Sequence, residues 1–549
     1  VLRHYRRIRG RLQTLVPSLD FNHGAYRWWA LGSVMVGTFM AVLDATIVNV
    51  SLAKIMAAFG VDVSEIEWVM TGYLLAFGVL LPTSGWLCTR FGCKRVYVAS
   101  LLIFTVGSGL CGLAWNEKTL IAFRILQGVG AGCLQPTAMT IVSLVFPPER
   151  RGMALGIWTI AGGASATLGP TIGGWLVENV GWRSIFYINL PIGVVGLILV
   201  AFVLHETERS PEARFDALGF LAMATFLSTL LLALAEGNRE GWDSTYIRTC
   251  EITAAVSFVI FLVQELTIRH PVINLQLFKH PAFSLSNALT FIFGVGLFGS
   301  TFLVPLFVQN MLNYTALQAG ILMLPGGIAM AITSPIAGRL SDRVEPRWLI
   351  ASGLLILAWS MGLNAEYMQM PTDYWALWAA VCLRGVGMGL LFTPLMTAAL
   401  VHLRPRDMGV ASGLLNVIRQ IGGSFGVAMF STLLERRTLF HQAVLAESLP
   451  VTAQALYSNG IEGGSAVAQL LPRLRGLLIQ RGIAPATAGM AAGQVLAMVI
   501  GRGATIIAFE DCFRVAMWLG FGALVFALLL PRCRAGPGAP EATPAPVAE

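Results

Sequence analysis

A succession of long apolar runs constrains this chain more than any other feature. Fourteen stretches of about twenty residues or more, nearly free of charge, recur between short charged or turn-rich breaks. A helix of about twenty residues rises through a ~30 Å hydrocarbon core, where only helices and closed barrels satisfy their own backbone polar groups. The runs are continuously apolar rather than alternating in ~10-residue segments, which excludes a β-barrel. The expected fold is therefore an all-α polytopic membrane protein. Its spans lie near 28–53, 66–88, 95–115, 119–145, 152–177, 183–204, 215–235, 246–266, 283–310, 317–338, 347–365, 374–401, 408–433 and 508–530. Composition agrees, because charged residues make up 12% of the chain, about half the share of a soluble domain.

The placement of basic residues sets the orientation, since short loops rich in Lys and Arg stay on the cytoplasmic side. Arg3, Arg6, Arg7, Arg9, Arg11 and Arg27 precede the first span, and Arg90, Lys94 and Arg95 follow the second. Arg150, Arg151, Arg339, Arg343, Arg347, Arg404 and Arg406 fall in later loops of the same side. Both termini are expected in the cytoplasm. The net charge of +8 is read as a topology signal, and no basic stripe or nucleic-acid motif accompanies it. The basic segment 1–27 is expected to anchor the chain at the cytoplasmic face. Residues 434–507 read as a long outside loop with one or two amphipathic helices, and 531–549 as a disordered Pro/Ala-rich tail.

The chain also repeats itself. GVGAG at 128–132 recurs as GVGMG at 385–389, and RGMALG at 151–156 as MGVASG at 408–413. GWLCTR at 85–90 recurs as GRLSDR at 338–343. Paired segments run the same way through the bilayer, so two parallel six-span halves, 28–204 and 283–530, are expected, with two extra spans in 205–282. Such halves with a site between them suit alternating access.

Within this frame Asp44 is anomalous, because a charge near a bilayer centre costs at least ~2.5–3.5 kcal/mol. Arg124 of the fourth span is the natural partner, at a similar depth in the outer half. The pair reads either as a proton site, with Asp44 losing its proton when substrate binds, or as a permanent structural ion pair. Asn49, Gln127, Gln135, Asn189, Asn287, Gln309 and Asn416 are further polar residues within spans, and Arg384 and Arg419 are further cations. Arg419 could meet an anionic group in a cavity or bond to helix ends. Tyr73, Trp158, Phe293 and Phe307 are candidate walls of a lipophilic pocket, Tyr73 and Trp158 foremost.

Other signals are weaker. GSGLCG at 107–112 fits a dinucleotide fingerprint but lies inside a span with no preceding strand. The eight cysteines form no CxxC and no Cys/His cluster. No Walker motif, HExxH or catalytic Ser/His/Asp grouping is present, so neither ATP hydrolysis nor another enzyme activity is expected.

Taken together, these motifs resemble the major facilitator superfamily, and within it the fourteen-span drug:H⁺ antiporters of the EmrB/QacA type, nearest to EmrB-like permeases. LDATIVNVSL (43–52) is similar to the first-span signature, and FRILQGVGAG (123–132) to the span-four motif that contains Arg124. GIWTIAGGASATLGPTIGG (156–174) resembles the span-five antiporter motif, with Gly156, Gly169, Pro170, Gly173 and Gly174 matching and Ser165 replacing a glycine. The loop signature is similar to GWLCTRFGCKR, through Gly85, Arg90, Gly92, Lys94 and Arg95, but Thr89 stands where the family carries Asp. The second copy, Gly338, Asp342 and Arg343, keeps the acid, which moves the expected loop charge relay toward the second half.

The resemblance implies a proton-coupled multidrug efflux antiporter of a bacterial inner membrane, driven by the proton gradient without a cofactor. Asp44 and Arg124 would couple protons. Asn49, Tyr73, Gln127, Gln135, Trp158, Asn416 and Arg419 would line the pathway for lipophilic small molecules. The glycine-rich fifth span would gate. A periplasmic adaptor protein and an outer-membrane channel are the implied partners. A proton-coupled symporter that imports a metabolite and a non-transporting membrane scaffold are the alternatives.

Overall fold

The computed structural model describes residues 25–531 except 208–214, 269–272, 274, 368–373, 402, 405–406, 459–474, 482–483 and 486. The N-terminal segment 1–24, the tail 532–549 and the middle of the 434–507 loop lie outside the described residues. Fourteen long helices follow one another: α1 (Tyr26–Phe59), α2 (Trp68–Phe91), α3 (Cys93–Leu113), α4 (Glu117–Val145), α5 (Arg151–Asn179), α6 (Asn189–Val203) and α7 (Ala217–Glu240). They continue as α8 (Thr245–Thr267), α9 (Pro281–Leu312), α10 (Ala316–Ser341), α11 (Pro346–Tyr367), α12 (Tyr374–Leu400), α13 (Met408–Ser458) and α14 (Ala488–Leu528). Among the described residues, thirteen of these elements supply a segment long and apolar enough to cross a membrane, α6 together with the Ser184–Tyr187 turn before it. The fourteenth, α5, has 29 residues and is long enough, but glycine, serine and threonine lower its hydropathy.

Local chemistry places the helix ends. Asn116 caps α4 by accepting from the Thr119 amide at 2.8 Å, and Thr119 returns a bond to the Asn116 amide. Thr315 and Gln318 form the same reciprocal cap on α10. Gly60 closes α1 at φ 68°, a left-handed turn that glycine adopts without strain.

The repeat is visible as packing. In α4, Gly128 and Gly132 sit against the backbone of α2 at Tyr73 and Phe77, while Gly130 sits against α3 at Phe104. In α12 the corresponding Gly385 and Gly389 sit against α10 at Gly326 and Met330, and Gly387 against α11 at Gly353. The same glycine positions therefore join the same pair of neighbours in both halves, as small residues do where membrane helices approach closely. The inserted helices α7 and α8 pair with each other. α7 also leans on both halves: Leu231 lies against Gly78 of α2, and the Trp242 indole just beyond α7 donates to Thr432 Oγ1 of α13 at 3.1 Å. α8 exposes Ile252, Val256, Val259, Val263 and Leu266, a surface suited to lipid.

One expectation is corrected. The spans expected at 408–433 and 508–530 are longer: α13 runs on to Ser458 and α14 begins at Ala488, so helix expected within 434–507 continues these two spans. α13 has 51 residues, roughly 76 Å of helix at 1.5 Å per residue, more than twice the thickness of the hydrocarbon core. His441 of α13 meets Asp511 of α14 at 2.8 Å, tying the two helices together. Charge enters α13 at Glu435, Arg436 and Arg437 while the helix continues.

Candidate functional site

Asp44 and Arg124 are both fully buried and form an ion pair, Nη1 to Oδ2 at 2.6 Å. α1 brings the carboxylate and α4 the guanidinium. Arg124 and Gln127 are three residues apart and so share one helix face. Gln127 closes a triangle: its Oε1 accepts from Arg124 Nη1 at 2.7 Å, and its Nε2 donates to Asp44 Oδ1 at 3.0 Å. Asn189, at the first turn of α6, donates to the same Asp44 oxygen at 2.8 Å and to Ser108 Oγ of α3 at 3.0 Å. Arg124 Nε also donates to the Val69 carbonyl at 3.3 Å. The Tyr73 ring covers the guanidinium, 4.1 Å from its carbon. Five helices of the first half therefore contribute to one cluster around the ion pair.

Two polar atoms in this cluster, Arg124 Nη2 and Asn189 Oδ1, have no partner among the described residues. A buried ion pair is stabilising only when its remaining bonding capacity is met. Here the carboxylate is well met and the guanidinium is left one donor short. Protonation of Asp44 would remove the Coulombic tie to Arg124, and Gln127, Asn189 and Tyr73 would remain as neutral company for both groups.

The remaining candidates fall at three other places. Gln135, Asn416 and Arg419 meet at the seam between halves: Arg419 Nη2 donates to Gln135 Oε1 at 3.0 Å and to Asn416 Oδ1 at 2.8 Å. Trp158 is buried and donates to Thr38 Oγ1 at 3.0 Å, joining α5 to α1. Phe307 packs edge-on against Phe509 at 5.3 Å, and Phe293 lines a small, partly open apolar recess within the second half. Asn49 is exposed and donates weakly to the Ala45 carbonyl at 3.4 Å. The structure thus joins Tyr73 and Gln127 to Asp44 and Arg124, and separates them from the seam cluster.

The end of the bundle that carries the basic loops is where the halves close. A Cβ on Gly85 of α2 would lie 2.5 Å from the Val410 nitrogen of α13, and one on Gly152 of α5 would lie 2.5 Å from the Gly338 oxygen of α10. Gly156 packs on Ser334 and Pro335, but at Gly163 the gap to the Gly327 oxygen is already 4.0 Å. Beyond it Gly169 and Gly173 turn to Thr46 and Ile47 of α1, and a Cβ on Gly174 would meet nothing within 4 Å. Ser165 is buried and donates to its own helix at Ala161. The helix span that contains Pro170 is continuous.

The loop signatures divide their labour. Thr89 Oγ1 donates to Gly85 of its own helix at 3.0 Å. Lys94 Nζ caps the end of α6 at the Ala201 carbonyl, 2.6 Å away, and Arg95 pairs with Glu206 at 3.5 Å. Gly92 turns the chain at φ 89°. Across the seam, Asp342 accepts from the Gly152 and Met153 amides at 2.9 and 3.0 Å. It therefore caps the N-terminus of α5, where the helix dipole favours a carboxylate. Burial nevertheless pushes the Asp342 carboxyl up to about 6, against these two bonds.

Residues 34–427 match the model of the Major Facilitator Superfamily. The chain belongs to the major facilitator superfamily. Among its relatives, it is 37% identical over 416 residues to "Uncharacterized MFS-type transporter YhcA" of Bacillus subtilis, covering 75% of this chain and 78% of that one. It is 32% identical over 439 residues to "Multidrug resistance protein B homolog" of Mycobacterium tuberculosis, covering 79% of this chain and 81% of that one. In fold it is similar to the crystal structure of the human organic anion transporter MFSD10 (TETRAN), with a TM-score of 0.54 at 14% identity, covering 90% of this chain and 99% of that one. This superfamily member is a multi-pass membrane transporter, and its parallel halves, seam and buried carboxylate are to be read as parts of one.

Sequence reasoning anticipated the partnership of Asp44 with Arg124 but did not assign Asn189 or Ser108 to it. Asn189 carries no spacing signal, because it reaches Asp44 only through the turn Ser184–Tyr187 that precedes α6.

Proposed function

We propose that the protein exports hydrophobic compounds by alternating access and exchanges them for protons at Asp44. The basic end is the cytoplasmic face of a bacterial inner membrane, with both termini on that side. The observation that carries this reading is a fully buried carboxylate held by one guanidinium and two amides. Such a group can take a proton on Oδ2 while both amides keep their bonds to Oδ1, and the Arg124 guanidinium that loses its counter-charge in that state couples protonation to rearrangement of the site. The seam supports alternation: close glycine contacts seal the basic end and slacken along α5. The relative named for multidrug resistance supports export of varied compounds. The extensions of α13 and α14 beyond the bilayer thickness support docking to a periplasmic adaptor that leads to an outer-membrane channel.

The test uses purified protein in proteoliposomes that contain a pH-sensitive dye, with an imposed pH gradient and a panel of lipophilic compounds. Proton movement opposite to substrate movement is expected. Movement in the same direction would make the protein a symporter, and substrate movement that leaves the dye unchanged would remove proton coupling.

A further inference from the structure

We infer that Arg419 forms an anion-recognition site in the seam, and that the substrates it selects are amphiphiles with one negative charge on an apolar body. The inference deepens the export reading and relies on it only for the direction in which such a compound moves.

The observation is an imbalance of charge between the halves. In the first half the buried guanidinium of Arg124 is neutralised by Asp44 at 2.6 Å. In the second half Arg384 and Arg419 lie within the helix bundle, and among the described residues neither pairs with a carboxylate. Among the described residues, Arg384 meets Ser300 Oγ at 3.2 Å and the Met323 sulfur at 3.5 Å, and its Nε has no partner there. Neutral oxygens alone leave such charges poorly compensated in a low-dielectric interior. A guanidinium is also the side chain best shaped to take a carboxylate or another planar anion through two parallel bonds.

Arg419 is the better placed of the two. It lies eleven residues into α13, about 16 Å from the basic end at 1.5 Å per residue, and it is only partly buried. The Phe392 ring centroid is 5.5 Å from its guanidinium carbon, which supplies an apolar face beside the charge. Its two present bonds both use Nη2, so Nη1 and Nε are not committed to those acceptors. Arg384 lies eight residues before Phe392 on α12, about 12 Å along the helix axis, and adds positive potential to the same half.

The position also gives binding a mechanical consequence. Gln135 belongs to α4 of the first half and Arg419 to α13 of the second, so their 3.0 Å bond is a tie across the seam. An anion that claims the guanidinium competes with Gln135 for it. Recognition of the charge and loosening of the seam are then one event.

The experiment uses three probes that share one apolar body: 1-pyrenebutyrate, 1-pyrenebutanol and 1-pyrenebutylamine. Saturable binding to the full-length protein in detergent is read by energy transfer from tryptophan to pyrene. Native protein should bind the anion at least about tenfold more tightly than the alcohol, a difference of about 1.4 kcal/mol, and the amine most weakly. Arg419→Gln should bring anion and alcohol to within about twofold of each other, whereas Arg419→Lys should retain part of the preference. Gln135→Leu, which frees the guanidinium, should bind the anion more tightly than native protein. The inference is overturned if native protein binds the alcohol as tightly as the anion, or if Arg419→Gln keeps the native preference. Should Arg419→Gln fail to fold, unchanged anion affinity in both Arg419→Lys and Gln135→Leu overturns it equally. Outward pumping of the alcohol and amine without anion preference in binding would preserve export and remove this site. Arg419-dependent anion preference without outward pumping would do the reverse.

Discussion

Replacement of Asp44 by Asn should destabilise the protein far more than the loss of one hydrogen bond. The substitution keeps the shape of the side chain and leaves the Arg124 guanidinium fully buried with no counter-charge. Removing one partner of a buried ion pair costs about 3–5 kcal/mol, and the Nη2 group that already lacks a partner offers no relief. Arg124→Gln should cost a similar amount through the stranded carboxylate, less whatever the Gln127 and Asn189 amides recover by donating to it at 3.0 and 2.8 Å. The double substitution leaves four neutral amides able to bond among themselves, so it should lie within about 2 kcal/mol of native protein. The two single changes are thus strongly non-additive, as expected for groups in direct contact. Reversible denaturation in mixed micelles of increasing SDS fraction, followed by tryptophan fluorescence, reads all four proteins. Additive costs, or single variants as stable as the native protein, would refute the claim that the pair is ionised and mutually dependent.

Three further outcomes follow from the geometry. Tyr73→Leu removes the ring that covers Arg124 at 4.1 Å and should cost about 1–2 kcal/mol in the same assay, while Tyr73→Phe, which keeps the ring, should cost less. A Cβ on Gly338 would overlap the Gly152 carbonyl oxygen, so Gly338→Ala should lengthen the electron-spin distance between labels at exposed Pro148 and Val344 by prising the basic end apart. An unchanged distance would place the seal elsewhere. The Asp342 carboxyl, at about 6 in the sealed state, returns toward its ordinary 3.8 when the halves part and water reaches it. The sealed contact thus binds the proton more tightly, is strongest below the ordinary value and weakens as pH rises through about 6. The same spin distance should therefore increase from about pH 4 to about pH 7.5 in native protein and stay flat in Asp342→Asn.

Much of the fold was legible because the bilayer leaves so few choices. Apolar run lengths located the fourteen long helices of the described residues, and the glycine offsets located the parallel halves, whose packing repeats glycine for glycine. Hydropathy fails to bound α13, which continues through Glu435, Arg436 and Arg437 to Ser458, since a solvated helix carries charges freely. At the candidate site, Arg124 and Gln127 could be placed on one face by spacing alone. The approach of Asn189 and the cover given by Tyr73 depend on how α6 and α2 pack around α4, and no local pattern records that. The exchange of Asp for Thr89 in one loop copy, with Asp342 kept in the other, was visible in the sequence. Its consequence, a carboxylate that caps α5 across the seam, is a tertiary contact between residues about 190 positions apart.

The most direct test of the central claim is a proton count on binding. Purified native protein in weakly buffered detergent solution is titrated with a transported compound while a pH indicator records release. The Asp44→Asn/Arg124→Gln double variant, expected to remain folded, is titrated alongside. Proton release by native protein, and binding without release by the double variant, is the predicted result. Equal release from both proteins would show that Asp44 is a structural ion-pair partner and that the exchanged proton leaves another group.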